Sequence, residues 1–124
     1  MTTARSKLGA LGERHARHIL ESNGLRFLDA NWRAASGEID LVMRDGEFIV
    51  MVEVKVRRGE RAGVAEEAIS MVKGRRLLAT GEWYMAEHAE LVASPWRIDL
   101  VAITIDDGGR VVRSRHIQDA VVIG

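Results

Sequence analysis

Four charged residues stand close together in an otherwise apolar stretch: Glu38, Asp40, Glu53 and Lys55, within Gly37 to Arg58, GEIDLVMRDGEFIVMVEVKVRR. Two strand-forming runs flank Asp45-Gly46, a dipeptide suited to a two-residue type I′ turn, so the stretch reads as a β-hairpin. With Asp45 and Gly46 as the loop, Arg44 faces Glu47, Val42 faces Ile49, Asp40 faces Met51 and Glu38 faces Glu53. Alternation then puts Ile39, Leu41, Met43, Phe48, Val50, Val52, Val54 and Val56 on one face. The other face is apolar at Val42, Ile49 and Met51 and carries three acids and a lysine at its open end.

Asp40 and Glu53 become diagonal neighbours, roughly 5–8 Å apart at Cβ. Two carboxylates in such a setting repel and are costly to desolvate unless a cation joins them. All-oxygen ligands favour Mg²⁺ or Mn²⁺ over zinc. Lys55 points the same way, and an ammonium beside a metal suits chemistry that builds negative charge on phosphate oxygens or deprotonates a water. The competing structural interpretation is a solvated Glu38/Glu53/Lys55 ion network at a strand end, worth little.

The elements that must position these groups follow from periodicity. Residues Thr3 to Asn23 predict a helix, with Thr2 or Thr3 as N-cap and Gly24 at C′. Leu8, Leu11, Gly12, His15, Ala16 and Ile19 form its apolar face, and Glu13 lies at the margin, where an acid can lean over a sheet edge. Leu25 to Arg33 predicts a first strand, so three strands follow in sequence as a meander. Arg57, Arg58, Arg61, Gly59 and Gly63 make a basic loop. Val64 to Leu91 returns to helical spacing, divided or bent at Gly81, with Lys73, Arg75 and Arg76 bringing positive charge. Ser70-x-x-Lys73 matches a serine-acylase motif superficially, without the partner motifs. Trp96 to Ile105 predicts a central strand buried on both faces, and Arg110 to Ile117 a weaker last one. The histidines His15, His18, His88 and His116 lack ligand spacing, and Trp32, Trp83 and Trp96 read as core or rim.

Bulk properties bound the function. The 124 residues, 47% hydrophobic and 29% charged, suit a single ordered domain over 1–124. No apolar run is long enough to span a bilayer and the charged N-terminal residues do not read as a signal peptide, so no membrane role is expected. The absence of cysteine rules out disulfides and thiolate zinc sites and suits a cytoplasmic location. Eighteen basic residues balance eighteen acidic ones, so attraction to nucleic acid must come from local clustering.

An acid on one strand followed about a dozen residues later by Glu-x-Lys on the next resembles the PD-(D/E)XK nucleases: Ile39-Asp40 stands at the first half and Glu53-Val54-Lys55 at the second. Gly12-Glu13, Gly37-Glu38-Ile39-Asp40-Leu41, Val52-Glu53-Val54-Lys55 with Arg57, Lys73 with Arg76-Leu77, and Arg97-Ile98-Asp99-Leu100 resemble the bacterial YraN-like family, whose motif layout is similar to Holliday-junction resolvases. The resemblance covers nearly the whole chain, although Ile39 stands where the superfamily's name has proline.

The resemblance implies an α/β, restriction-endonuclease-like three-layer fold: a mixed sheet of about five strands flanked by helices. It implies Asp40, Glu53 and the carbonyl of Val54 as metal ligands, Lys55 orienting or activating water, and Glu13 as an outer ligand or second-metal residue. It further implies Arg14, Arg57, Lys73 and Arg76 as phosphate contacts. The expected reaction is Mg²⁺- or Mn²⁺-assisted hydrolysis of phosphodiesters in branched or structured DNA, leaving a 5′-phosphate, with a homodimer suited to a symmetric junction. Two other readings stand beside it: a nucleic-acid-binding accessory protein that does not cut, and a protein-interaction domain whose last strand, Arg110 to Ile117, pairs with a partner.

Overall fold

The computed structural model describes residues 7–59 and 69–121. Among them the order is α1 (Lys7–Ser22), β1 (Arg26–Ala34), β2 (Gly37–Asp45), β3 (Phe48–Arg58), α2 (Met71–Glu87), a 3₁₀ turn (Ala89–Leu91), β4 (Trp96–Ile105) and β5 (Val111–Ile117). The strands form one mixed sheet in the order β1-β2-β3-β4-β5. β3 and β4 run parallel, and the other neighbouring pairs are antiparallel. A parallel pair needs a crossover, and α2 lies within it.

Each helix covers one face. Ala16, Leu20 and Leu25 pack with Leu41, Met43, Val50, Val52, Val101 and Ile103 on the α1 side. Leu77, Tyr84 and Met85 pack with Val42, Ile49, Met51, Ile98 and Leu100 on the α2 side. This is the α/β three-layer arrangement, with a five-stranded mixed sheet, that the sequence led us to expect.

Several details differ from the sequence reading. β4 is an interior strand buried from Ile98 to Ile105, but the middle place belongs to β3. α2 continues unbroken through Gly81. That glycine is a packing device, since a Cβ there would meet the ring of Trp96, with Cη2 at 2.7 Å. Ser70 is the N-cap of α2, its hydroxyl accepting from the Lys73 N–H at 3.2 Å. Capping therefore accounts for the Ser-x-x-Lys spacing. Gly24 does end α1 in the left-handed region, at φ 94°. Thr2 and Thr3, and the basic-loop and helical expectations over 60–68, lie outside the described residues.

The hairpin forms, but its register is displaced by two residues: Val42 faces Met51, Arg44 faces Ile49 and Asp45 faces Phe48. The loop is therefore Gly46-Glu47, and only Gly46 has a positive φ, at 62°, the pattern of a type II′ turn with glycine first. Asp45 stays in the strand because Arg97 of β4 donates to its carboxylate at 2.9 Å. A displacement of two preserves parity, so most faces are as expected.

Ile39 is the exception among the face assignments. It packs on the α2 side, as does Trp32 opposite it, whereas the next pair, Ala30 and Leu41, lies on the α1 side. The position between these pairs is occupied by Asn31, at φ 54°, and Asp40. Both strands thus change face where the candidate aspartate sits.

Candidate active site

The ladder between β2 and β3 runs from Asp45 and Phe48 to Leu41 and Val52. Two residues further along β3, the Val54 N–H donates to Asp40 Oδ2 at 2.8 Å. A side chain thus serves the backbone donor where the two strands part, and in doing so it fixes the orientation of Asp40. In such a ladder a residue turns its N–H and its C=O to the same neighbour. The Val54 carbonyl consequently points to the side where Asp40 lies.

Glu53 projects beside Asp40 and is buried, at 4% exposure. Burial first, and the Glu53 carboxylate second, raise the Asp40 carboxyl from 3.8 to about 7, against the lowering effect of the Val54 N–H; Glu38 adds a smaller push upward. Lys73, from the first turn of α2, pairs with Glu53, its Nζ 2.6 Å from Oε2.

Around these groups lies a depression of about 350 Å³ lined by Gly37, Glu38, Asp40, Glu53, Val54, Lys73, Arg76, Leu77 and Thr80. Thr80 ties the β1–β2 loop to α2: its hydroxyl donates to the Arg76 carbonyl at 2.7 Å and accepts from Ser36 at 2.7 Å. Sequence reasoning missed Thr80, whose helical position carried no signal of its own. The walls of the site are therefore one strand junction and one helix face.

The structure separates the remaining expected residues. Lys55 lies on β3 two residues beyond Glu53, half-buried, and does not line the depression; the ammonium beside Glu53 is that of Lys73. Arg57 is exposed, with its guanidinium on the Val56 carbonyl at 3.2 Å. Glu13 and Arg14 line a different depression of about 320 Å³, with Arg17, Phe27, Ala30, Asn31 and Leu41. Gly12 explains this placement, because a Cβ on it would meet the Val56 side chain, which seats α1 on the sheet face turned away from Glu53. Glu13 at the helix margin therefore leans over β1 and β2 on the α1 side, in a depression other than the one Asp40 and Glu53 line.

The chain matches the family described as "Uncharacterised protein family UPF0102" over residues 12–103. It is 41% identical to the UPF0102 protein of Roseiflexus castenholzii over 121 residues, covering 98% of each chain. It is 50% identical to that of Renibacterium salmoninarum over 102 residues, covering 82% of this chain and 86% of the other. The chain belongs to the UPF0102 family. The matched span holds every residue of the Asp40 depression, and the YraN-like resemblance is the same kinship. Among solved structures, Pyrococcus furiosus SfsA in complex with Ca²⁺ is similar at a TM-score of 0.39 and 14% identity, over 94% of this chain and 64% of that one.

A second polar cluster in this UPF0102 protein escaped sequence reasoning. Asp99, fully buried in β4, accepts from Arg97 Nε at 3.0 Å, from the Asp119 N–H at 2.9 Å, and bonds His116 Nε2 at 2.7 Å. Burial pushes the Asp99 carboxyl upward, but His116, Arg97 and the Asp119 N–H outweigh it and hold it below its ordinary value. The available signal was an aspartate inside an apolar strand, which must be paired to be buried. The cluster pins β5 and the chain after it to β4.

Proposed function

We propose that this chain is a metal-dependent endonuclease that hydrolyses phosphodiesters in branched or otherwise structured DNA. The observation that carries the proposal is the convergence of Asp40 and Glu53 in one depression with Lys73 and Arg76 on its wall. Two acids held together at the cost of a strongly raised Asp40 carboxyl are a donor set that a divalent cation relieves. Among the described residues no group of three acidic or histidine side chains is arranged as a cation cage. Mg²⁺ suits the site nonetheless, because it is commonly held by one or two carboxylates, with waters and substrate phosphate completing its shell.

Asp40 and Glu53 would hold Mg²⁺ or Mn²⁺, with the Val54 carbonyl on the same side as a further oxygen. The ion would supply Lewis-acid polarisation of the phosphoryl oxygen and a more acidic water. Val54 holds Asp40 in its rotamer through the backbone N–H. Lys73 and Arg76 are placed to receive a phosphate, as charged donors to its oxygens. Lys55, on the strand just past Glu53, is the remaining candidate to steer a water, and Arg14 and Arg57 are candidates for flanking phosphates.

The test is a panel of labelled junction, flap, duplex and single-stranded DNAs with Mg²⁺ or Mn²⁺. Cleavage of a branched substrate, lost in both Asp40→Asn and Glu53→Gln, is the expected result. Cleavage that survives both substitutions, or no cleavage of any substrate, overturns the proposal.

The balanced charge of the chain favours a second reading, a nucleic-acid-binding accessory protein of the same fold. It requires binding that weakens steeply with salt and is indifferent to metal. Whether the protein acts as a homodimer is read from its size in solution with and without junction DNA.

A further inference from the structure

Lys73 holds an unusual place for a residue that must contact substrate. Its Nζ lies 2.6 Å from Glu53 Oε2, where its side chain is 54% exposed and that of Glu53 only 5%. A largely exposed ammonium thus occupies an oxygen of a buried carboxylate. Among the described residues Lys73 is the ion-pair partner of Glu53, and an arriving divalent ion must compete with it for the same carboxylate. Arg76, one helical turn further along α2, lines the same depression.

We infer that Lys73 is a resident counter-ion of the carboxylate pair, and that divalent cation and phosphodiester load the site together, the phosphate receiving the ammonium that the metal displaces from Glu53. The inference rests on the proposed metal site and adds an order to it. Lys73 is free to make the exchange, since its stem reaches solvent while its backbone stays fixed by the Ser70 cap. Metal alone must strip the carboxylate of its partner, whereas metal arriving with a phosphodiester leaves Lys73 with a new anion. Linkage makes this reciprocal, so each ligand raises the affinity for the other. The physical consequence is a site that stays metal-poor until substrate is present.

Calorimetric titration with MnCl₂ tests this without any cleavage assay. Lys73→Met is expected to bind Mn²⁺ about two- to fivefold more tightly than the unsubstituted protein, the range expected for one partly exposed ion pair. Lys73→Arg, which keeps the charge, is expected to stay weak. Adding the dinucleotide TpT is expected to tighten Mn²⁺ binding in the unsubstituted protein, and much less in Lys73→Met. The methylphosphonate analogue of TpT, which lacks the phosphate charge, is expected to have no such effect.

Circular dichroism of each variant establishes that the fold is intact. Mn²⁺ binding by Lys73→Met that is no tighter than in the unsubstituted protein, or undetectable, overturns the inference. If Mn²⁺ binding persists undiminished in Asp40→Asn, the underlying metal-site reading fails. Loss of binding in Asp40→Asn with no gain in Lys73→Met sinks the exchange alone.

Discussion

Asp40 carries a proton more tightly in the folded chain than it would unfolded, because burial and Glu53 raise its carboxyl to about 7. Between about pH 4 and pH 7 the folded state therefore binds more protons than the unfolded one, and stability falls as pH rises through that window. Asp40→Asn removes this slope while keeping an oxygen for the Val54 N–H and adding an amide donor for Glu53. We expect it to be near neutral at pH 4.5 and to stabilise the metal-free protein by about 1–2 kcal/mol at pH 8, a figure reduced from the full shift because solvent and Lys73 reach the pair. Thermal melts at the two pH values read this directly, and an Asn variant equally or more destabilised at pH 8 would contradict it.

At the scale of elements, the site depends on how β2, β3 and α2 are seated against their neighbours. Gly81 lets α2 lie close on Trp96, and Gly81→Ala trades a helix-propensity gain of about 1 kcal/mol against a clash with the indole. The expected net cost is about 1–2 kcal/mol, seen as a drop in Tm, and a rise in Tm would show that the close approach is unimportant. On the other face, Asp99 anchors Arg97, His116 and the Asp119 backbone. Asp99→Ala leaves those donors unmatched in a buried place and is expected to cost about 3–5 kcal/mol at neutral pH. Because its carboxyl is held below the ordinary value, this contribution is present above the unfolded-state pKa and fades as pH falls through the folded one. Denaturant unfolding of Asp99→Ala at pH 7 measures it, and a loss under 1 kcal/mol would show that the cluster is inessential.

Much of this was legible from element-level patterns, and the reasons it was incomplete are specific. Two-residue alternation identified the strand pair and put Asp40 and Glu53 together, and a register displaced by two left that intact because side chains repeat every two residues. The loop itself was misassigned because Asp45-Gly46 looks like a turn, while the restraint on Asp45 comes from Arg97, 52 positions away. Ile39 changed face where the neighbouring strand carries Asn31 at a positive φ, an irregularity no alternation rule anticipates. Helical phase put Glu13 at the margin of α1, and phase does not say over which strands a helix margin will lie. Lys73 reached Glu53 through the α2 crossover, a contact that sequence spacing could not show.

For the whole molecule, the sheet sets one wall of the depression and α2 the other, while the apolar clusters on the two faces hold these walls in place. No described helix is long and apolar enough to cross a membrane. With formal charge balanced, any attraction to DNA must be local, and among the described residues the candidates are Lys73 and Arg76 on α2, Arg57 at the end of β3 and Arg14 on α1. DNA binding is accordingly expected to show a salt slope corresponding to only a few phosphates. A slope near ten contacts would demand a much larger basic surface than this one.

The most direct measurement is a crystal soaked in MnCl₂ and examined by anomalous scattering, for the unsubstituted protein and for Asp40→Asn, with TpT added to favour loading. The account predicts one strong peak between the Asp40 and Glu53 carboxylates, absent from the Asn variant. No peak there, or one that persists in Asp40→Asn, would contradict it.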